Sequence, residues 1–421
     1  MRQWFTLDNA GKIFPGQNSR KWSNAFRLKL STDKPVNPKI LEQALKNIMP
    51  RFPCFDVKLR YGLFWYYLEK NPKDAPPVMP DVNNICYRFK YSENDGFLFR
   101  VFYYENDISV EFFHAITDGQ GCTMFACTLV AEYIRLRDNV DIPSGGFVLD
   151  IKQKATESEL RDPFKYYCDS KVKAQRSSLN VYHRKTKKLP MHTARSITGF
   201  LEVDKVLELT RALGVTITEY MSAMLVYIHY RIQLREERKQ RPISVQIPVN
   251  LRRTYDSDTL RNFSMTYQYR MDPNLGEWTF EEILSQLSLY LRYINNEKQL
   301  NSMMRANIAL ERNPIMRVMP LFIKRAGMYI AFAFTGEKST TTLFSNLGRL
   351  AIPDELKQYI TKAVLFTGPG ILNGARVAAI SHGKDLAITF VNCYVDRTIE
   401  RDFFRELVSR GLHVRIESNM E

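Results

Sequence analysis

The sequence lacks the cysteine and histidine spacings that metal-binding and disulfide-rich proteins use. None of its six cysteines forms a CxxC pair, and none of its six histidines belongs to an HExxH motif. Scattered thiols indicate a reduced protein without a disulfide framework, and the missing spacings argue against a zinc site. Met1–Leu7 also lacks the basic start and apolar core of a secretory signal. We therefore expect a cytoplasmic protein that binds no metal.

Long hydrophobic runs are also scarce. The one extended candidate, Met319–Phe334, is interrupted by Lys324, Arg325 and Gly327, so it is too short to cross a bilayer as a helix. Its large apolar residues could instead line a substrate channel or touch a membrane surface; these are Phe322, Ile323, Tyr329, Phe332 and Phe334. Plain core packing is the alternative interpretation.

Acidic residues are fewer than basic residues in this sequence. The 60 lysines and arginines exceed the 45 aspartates and glutamates, which leaves a formal net charge of +15. This surplus should attract polyanions such as cofactor phosphates, acidic carrier proteins or an anionic membrane. Part of it lies in Lys171–Lys188, for which a solvated connection between domains is the simpler interpretation. Because no nucleic-acid-binding motif accompanies the charge, we do not expect nucleic acid as a partner.

The length of 421 residues and the hydrophobic content of 45% favour two or three domains with large cores. Strand and helix patterns occur in both halves, and a basic connection near residues 170–195 separates them. Residues 1–180 are therefore predicted to form one lobe and residues 181–421 a second, in an α/β fold with mixed sheets. The clearest predicted elements are strands at 26–30, 55–59, 196–203, 243–249 and 340–344 and helices at 37–48 and 204–214.

The most informative segment is Phe112–Gly121, in which His114 and Asp118 stand four residues apart. Residues 108–112 alternate apolar and polar side chains, which predicts a half-buried strand, and apolar residues at helical spacing follow Gly121. A tight turn between strand and helix can hold an imidazole in one orientation, as a general base requires. The structural alternative is a core histidine followed by an ordinary Asp-Gly turn or helix N-cap. Cys122 could serve as a thiol nucleophile, but packing on the apolar helix is the simpler expectation.

Polar segments follow two predicted strands of the second half. Asn250–Arg253 comes after one strand, with Asn262–Ser264 shortly beyond it, and Ser345–Gly348 comes after the other. Amide and hydroxyl donors at strand ends can stabilise developing negative charge, and a guanidinium can form a bidentate pair with a carboxylate. The same compositions are also typical of turns.

Together these segments resemble the superfamily of acyl-CoA-dependent acyltransferases that contains chloramphenicol acetyltransferase, the alcohol acetyltransferases and the condensation domains of peptide synthetases. The resemblance covers most of the chain and is strongest to the alcohol acetyltransferase-like group. Its landmarks stand in family order: Arg51–Pro53, His114–Gly119 as an HxxxDG motif, Pro248–Arg252 with Asn262–Ser264, and Phe344–Gly348. The Asp-Phe-Gly-Trp-Gly motif of the plant branch is missing from the sequence.

The resemblance implies a two-lobed fold in which acyl-CoA and an acceptor enter a tunnel between the lobes from opposite mouths. His114 would be the general base that deprotonates the acceptor, with no covalent acyl-enzyme. Asp118 and Gly119 would support the catalytic loop, and Arg252 is the first choice for the partner of Asp118, with Arg253 the second.

The same resemblance makes Asn262, Ser345 and Asn346 candidates to stabilise the oxyanion or to position substrate. Acyl-CoA would be a cosubstrate, and no tightly bound cofactor is expected. The favoured activity is transfer of the acyl group to the hydroxyl of a small-molecule alcohol, with an amine acceptor as the alternative.

Two other functions fit the same residues. A condensing or releasing enzyme would take its acyl group from an acidic acyl-carrier protein, which the basic surface could bind. A non-catalytic binding scaffold would keep only the fold, and the intact His114 and Asp118 argue against it.

Overall fold

The computed structural model describes most of the chain. Three residues of the basic run, Lys171, Lys173 and Arg176, lie outside the described residues, as do Phe332 and Phe334 of the apolar run. The described residues are 4–19, 23–82, 84–168, 180–190, 193–331, 337–370, 372 and 375–420.

The strands in the described residues are numbered in chain order. They are β1 Trp4–Thr6, β2 Ala25–Thr32, β3 Val57–Tyr61, β4 Tyr66–Lys70, β5 Val78–Pro80, β6 Phe99–Tyr104, β7 Asp107–Phe113, β8 Arg195–Glu202, β9 Ile243–Asn250, β10 Ser264–Met271, β11 Thr342–Arg349, β12 Ile360–Thr367, β13 Arg376–His382, β14 Asp385–Asn392 and β15 Arg415–Ser418.

The α-helices are numbered in the same way. They are α1 Phe14–Gln17, α2 Pro38–Ile48, α3 Gly119–Asp138, α4 Glu157–Leu160, α5 Pro163–Tyr167, α6 Val203–Ala212, α7 Ile217–Glu236, α8 Arg252–Tyr255, α9 Phe280–Ile294, α10 Glu297–Arg312, α11 Pro314–Val318, α12 Leu321–Ala331, α13 Asp354–Lys357 and α14 Thr398–Ser409. None of the helices in the described part of the chain is both long and apolar enough to cross a membrane.

Two large sheets organise the molecule. One has the strand order β12-β2-β7-β6-β5, and the other has the order β10-β9-β11-β13-β14-β8-β15. In the second sheet β11 runs parallel to β9 and β13, while the remaining pairs are antiparallel. A small third sheet has the order β1-β4-β3. The predicted mixed α/β class is therefore confirmed.

The second half of the chain contributes one strand to the sheet of the first half. β12 belongs to the second half of the sequence, yet it pairs antiparallel with β2 at the edge of the five-stranded sheet. Each large sheet has its own hydrophobic core, with α3 packed in the first and α7 in the second. The division into lobes at residue 180 stays a prediction.

The strand before His114 differs from its prediction because both of its faces are buried. Every residue of 108–113 is buried, including Ser109 and Glu111. Glu111 can be buried because Arg27 and Arg100 each place a guanidinium nitrogen 3.0 Å from its carboxylate. The prediction of a half-buried strand was wrong, because the alternation of apolar and polar side chains cannot show that counter-ions cover the polar face.

Most other predicted elements are confirmed, with differences at some of their boundaries. β3 begins at Val57 rather than at residue 55, because Phe52–Asp56 forms a turn in which the Phe55 N–H donates to the Phe52 carbonyl at 2.9 Å. Ser345–Gly348, expected after a strand, lies inside β11. The helix predicted to end at residue 214 ends two residues earlier, at Ala212, and Gly214 follows it with a φ of 65°, a backbone conformation that glycine adopts without steric cost.

Candidate active site

His114 lies in the turn between β7 and α3, as its place in the sequence indicated. Its backbone N–H donates to the carbonyl of Asn24 at 2.9 Å. Its ring stacks on Phe14 with 4.7 Å between ring centres, and Phe26 packs against it at 4.9 Å. The imidazole is therefore enclosed by two aromatic rings while remaining partly exposed.

A chain of hydrogen bonds holds the imidazole from the second half of the sequence. The Nδ1 atom of His114 lies 3.0 Å from the Oδ1 atom of Asn262, and the Asn262 Nδ2 group donates to the His114 carbonyl at 3.1 Å. The same Nδ2 group donates to the carboxylate of Asp8 at 3.2 and 3.3 Å. Asp8, Asn262 and His114 thus form one connected network.

This network determines which ring nitrogen carries the proton. An ionised carboxylate can only accept hydrogen bonds, so the NH₂ group of Asn262 must face Asp8. The Oδ1 atom of Asn262 then faces His114 and can only accept, so the neutral imidazole carries its hydrogen on Nδ1. The lone pair is left on Nε2, which makes no hydrogen bond to any residue that the structure describes.

Burial changes the acidity of both ends of the network. It lowers the pKa of His114 below its ordinary value, and the charge of Asp118 opposes this shift only in part. The neutral form of His114 is therefore favoured near neutral pH, as a base requires. Burial raises the pKa of Asp8 to about 6, although Arg261 lies 3.6 Å away and opposes that shift.

The carboxylate of Asp118 bonds to Arg252 and to backbone N–H groups, and no hydrogen bond joins it to the imidazole in the part of the chain that the structure describes. Arg252 donates to both of its carboxylate oxygens, at 2.8 and 3.0 Å. The backbone N–H groups of Phe263 and Gly121 also donate to Asp118, which is the N-cap of α3. Burial alone would raise the pKa of Asp118, but Arg252 and these N–H groups outweigh it and hold the pKa below its usual value. Arg253 is exposed and takes no part in this pair.

The glycines of the motif let α3 approach the second half of the chain closely. A Cβ atom on Gly119 would lie 2.5 Å from the side chain of Leu347, and one on Gly121 would lie 2.3 Å from the carbonyl of Leu260. Any larger residue would push the start of α3, and with it the His114 turn, away from these neighbours.

The two residues of Ser345–Gly348 that were expected to contact substrate lie on opposite faces of β11. Asn346 donates to the hydroxyl of Thr218 on α7 at 3.2 Å. Phe344, two residues earlier, lies in the same core as α7. Alternation along the strand therefore turns Ser345 toward the other face. That face also carries Leu347, which approaches Gly119 at the start of α3.

The structure disfavours the thiol alternative that the sequence offered. Cys122 is buried, and burial raises the pKa of its thiol well above the usual value, which disfavours the thiolate that a nucleophile needs. Among the residues that the structure describes, no group of three or more His, Cys, Asp or Glu side chains could hold a metal ion.

A basic cavity of about 810 Å³ lies at the far end of β9 from this site. Pro242, just before β9, lines the cavity, whereas Asn250 at the other end of β9 bonds to Gln120 beside the motif. The two ends are separated by about 23 Å at the usual rise per residue of a strand. The cationic side chains lining the cavity are Arg184, Lys185, Lys188, Lys239, Arg241 and Lys338.

Sequence reasoning missed two residues of the His114 site: Asp8, which bonds to Asn262, and Phe14, whose ring stacks on the imidazole. Asp8 begins an Asp-Asn-Ala-Gly segment, and the composition indicates only a turn, in which the Gly11 N–H donates to the Asp8 carboxylate at 2.6 Å. Phe14 follows in a short helix and carries no signal beyond its hydrophobicity. Neither residue is close to His114 in the sequence, so their contacts with the site depend on the tertiary fold.

Comparisons with known proteins match this chain through its fold. A scan of protein-family models and a search of curated proteins each found no match. F. graminearum TRI101, solved with coenzyme A and T-2 mycotoxin, is 12% identical with a TM-score of 0.62 over 98% of this chain and 99% of that chain. The starter condensation domain of rhizomide synthetase RzmA, solved as a mutant with C8-CoA and Leu-SNAC, is 14% identical with a TM-score of 0.58 over 96% of this chain and 93% of that chain.

A third solved structure agrees with these two. Polyketide synthase associated protein 5 from Mycobacterium tuberculosis is 12% identical with a TM-score of 0.57 over 96% of each chain. At such identities the likeness concerns the fold, and it extends over almost the full length of every chain compared. The chain therefore shares the fold of these three proteins, which is the two-lobed chloramphenicol acetyltransferase-like fold.

Proposed function

We propose that this protein transfers an acyl group from acyl-CoA to a small-molecule acceptor, with an alcohol favoured over an amine. The observation that carries the proposal is the 3.0 Å contact of His114 Nδ1 with Asn262 Oδ1, which favours the tautomer with its hydrogen on Nδ1 and leaves Nε2 without a hydrogen-bond partner among the described residues. A histidine that served only packing would not need an amide, itself oriented by Asp8, to define its protonation. The coenzyme A and C8-CoA bound by the structural neighbours support the choice of donor.

The reaction follows from that tautomer. His114 Nε2 takes the proton of the acceptor hydroxyl as its oxygen attacks the thioester carbonyl, which gives a tetrahedral oxyanion and an imidazolium. The oxyanion collapses, the carbon–sulfur bond breaks, and the coenzyme A thiolate takes the proton from the imidazolium. The ester and free coenzyme A leave, and no acyl group is bound to the protein at any stage.

The surrounding residues have distinct roles in this proposal. Asn262, a candidate from the sequence for oxyanion stabilisation or substrate positioning, acts in this proposal as a positioning residue for His114, because both of its side-chain polar atoms are already bonded. Ser345 is the proposed oxyanion donor, since it faces the side of β11 that approaches the motif. Asn346 faces α7 and supports the strand. Asp118 and Arg252 hold the turn that carries His114.

Release of coenzyme A by wild type and by His114→Ala tests the proposal. Loss of a general base should lower the rate by about 10²- to 10⁴-fold while the unfolding transition stays near that of wild type. His413→Ala is the matched control, because His413 is exposed on the surface far along the chain. Equal rates for His114→Ala and His413→Ala, in a preparation that transfers acyl groups, would contradict the assignment.

The donor is tested in the same assay. Acyl-CoA is compared with the same acyl group on an acidic carrier protein, across alcohols and amines. We expect turnover with acyl-CoA and alcohols. Turnover with the carrier-bound donor alone would make the protein a condensing or releasing enzyme, and the absence of turnover with every donor would favour a binding scaffold.

A further inference from the structure

Helix α12 turns a charged side chain toward the protein. Lys324 is 2% exposed, and its ammonium group donates to the carbonyl of Phe64 at 2.8 Å and lies 3.7 Å from the centre of the Trp65 ring. Leu321 and Met328, three residues before and four after, lie on the same side of the helix. The protein-facing side of α12 therefore contains its lysine.

The opposite side of α12 exposes large apolar side chains. Phe322, Ile323 and Ile330 are 72%, 45% and 54% exposed. At about 100° per residue they occupy the side of the helix away from Lys324. A surface helix ordinarily turns its apolar stripe to the core and polar side chains to water, whereas α12 also exposes large apolar side chains on its outer side.

The exposed apolar surface continues beyond α12. Ile315 and Val318 of α11 are 68% and 69% exposed, and Leu63 in the turn between β3 and β4 is 72% exposed. The Leu63 carbonyl accepts the N–H of Leu321, which joins that turn to the start of α12. We call this surface the apolar face and define it by Leu63, Ile315, Val318, Phe322, Ile323 and Ile330. Concentrated exposed apolar side chains of this kind indicate an interaction site.

The charged residues within and next to α11 and α12 in the sequence are basic from Arg312 to Arg325. Arg312, Arg317 and Arg325 are exposed beside it. The sequence has no aspartate or glutamate between Glu311 and Glu337. An anionic bilayer surface is bound by two features together. Apolar side chains enter the boundary between headgroups and acyl chains, and neighbouring cations reach the phosphate headgroups.

The apolar face is connected to the candidate active site through α1. Met328 of α12 packs against Gly16, where a Cβ atom would lie 2.9 Å from the methionine Cε atom. Phe14 of the same short helix α1 stacks on His114 at 4.7 Å. A surface bound at α12 would therefore lie one helix away from the catalytic base.

We propose that the apolar face docks on an anionic lipid bilayer and that the acceptor is a lipophilic alcohol taken from that bilayer. Docking is independent of the chemistry, whereas the acceptor class rests on the proposed function. The full chain would be tested by flotation with vesicles of phosphatidylcholine alone and of phosphatidylcholine mixed with phosphatidylglycerol. We expect binding to the mixed vesicles that weakens with salt.

The variant for this test is Phe322→Gln with Ile330→Gln. Removing two large side chains from the bilayer should weaken vesicle binding at least about tenfold. Leu289→Gln with Tyr293→Gln is the matched control, because these α9 side chains are 63% and 69% exposed but lie outside the apolar face. It should bind vesicles like wild type. The first variant should also raise the KM for a long-chain alcohol in vesicles and leave turnover of a short, water-soluble alcohol unchanged.

Several results would overturn docking. These are no binding of wild type to the mixed vesicles, equal binding by the two double variants, or a wild-type dimer that only Phe322→Gln with Ile330→Gln dissociates. The last result would assign the apolar face to a second copy of the chain. Vesicle binding by a protein that acylates no acceptor would leave docking intact and refute the proposed function instead. Activity restricted to water-soluble acceptors would refute the lipophilic acceptor alone.

Discussion

Arg252→Met is the sharpest test of how the His114 turn is held in place. Arg252 and its partner Asp118 have side chains that are only 4% and 5% exposed. The guanidinium also donates to the carbonyls of Thr259 at 2.9 Å and Arg261 at 2.5 Å. Methionine keeps much of the side chain's length and removes every one of these donors.

The expected loss of stability follows from the charge left behind. Removing one partner of a buried ion pair typically costs about 3–5 kcal/mol, because the other charge stays buried without compensation. The N–H groups of Phe263 and Gly121 still bond Asp118, so we expect the lower part of this range. Without Arg252, burial raises the pKa of Asp118. The kcat should fall as well, because Asp118 caps α3 directly after the turn that carries His114.

Urea unfolding at neutral pH and coenzyme A release measure the two effects. Arg253→Met is the matched control, since the neighbouring arginine is exposed, and it should change stability by no more than about 0.5 kcal/mol. Adding Asp118→Asn to Arg252→Met should recover part of the loss by removing the uncompensated charge. Equal costs for the two arginine variants, or fully additive costs for Asp118→Asn and Arg252→Met, would refute the reasoning.

Three further predictions concern the network at the site and the charge of the protein. Asn262→Ala should lower kcat about 100-fold with little change in KM, because the imidazole loses its orientation; an unchanged kcat would remove Asn262 from the mechanism. Burial raises the pKa of Asp8 from 3.8 to about 6. The protonated carboxyl of Asp8 therefore stabilises the folded state below pH 4, and this contribution is lost as pH rises through 6. Wild type should therefore lose about 3 kcal/mol relative to Asp8→Asn over that window, and parallel stability curves from urea unfolding would contradict this. The KM for acyl-CoA should rise with salt at constant kcat, and that of acyl-pantetheine should respond less, since the net charge of +15 attracts the nucleotide phosphates; identical responses would assign the basic surface to another partner.

Local sequence was sufficient to predict the turn that carries His114. An alternating strand, an Asp that can cap a helix, and glycines at 119 and 121 act on neighbours a few residues away, so their effect can be read from order alone. The same holds for the end of α6, which comes two residues before Gly214. The sequence narrowed the partner of Asp118 to Arg252 or Arg253. Because successive side chains point in different directions, only the packed structure shows that Arg252 reaches Asp118.

The tertiary structure decided everything that depends on contacts between distant parts of the chain. Asp8 and Asn262 meet although 254 residues separate them, and no spacing rule reports such a pair. Glu111 is buried because Arg27 and Arg100 reach it from neighbouring strands. Periodicity shows which residues of an element share a side, whereas the direction that side faces depends on what packs against it. Helix α12 therefore shows its outward apolar face only in the folded molecule.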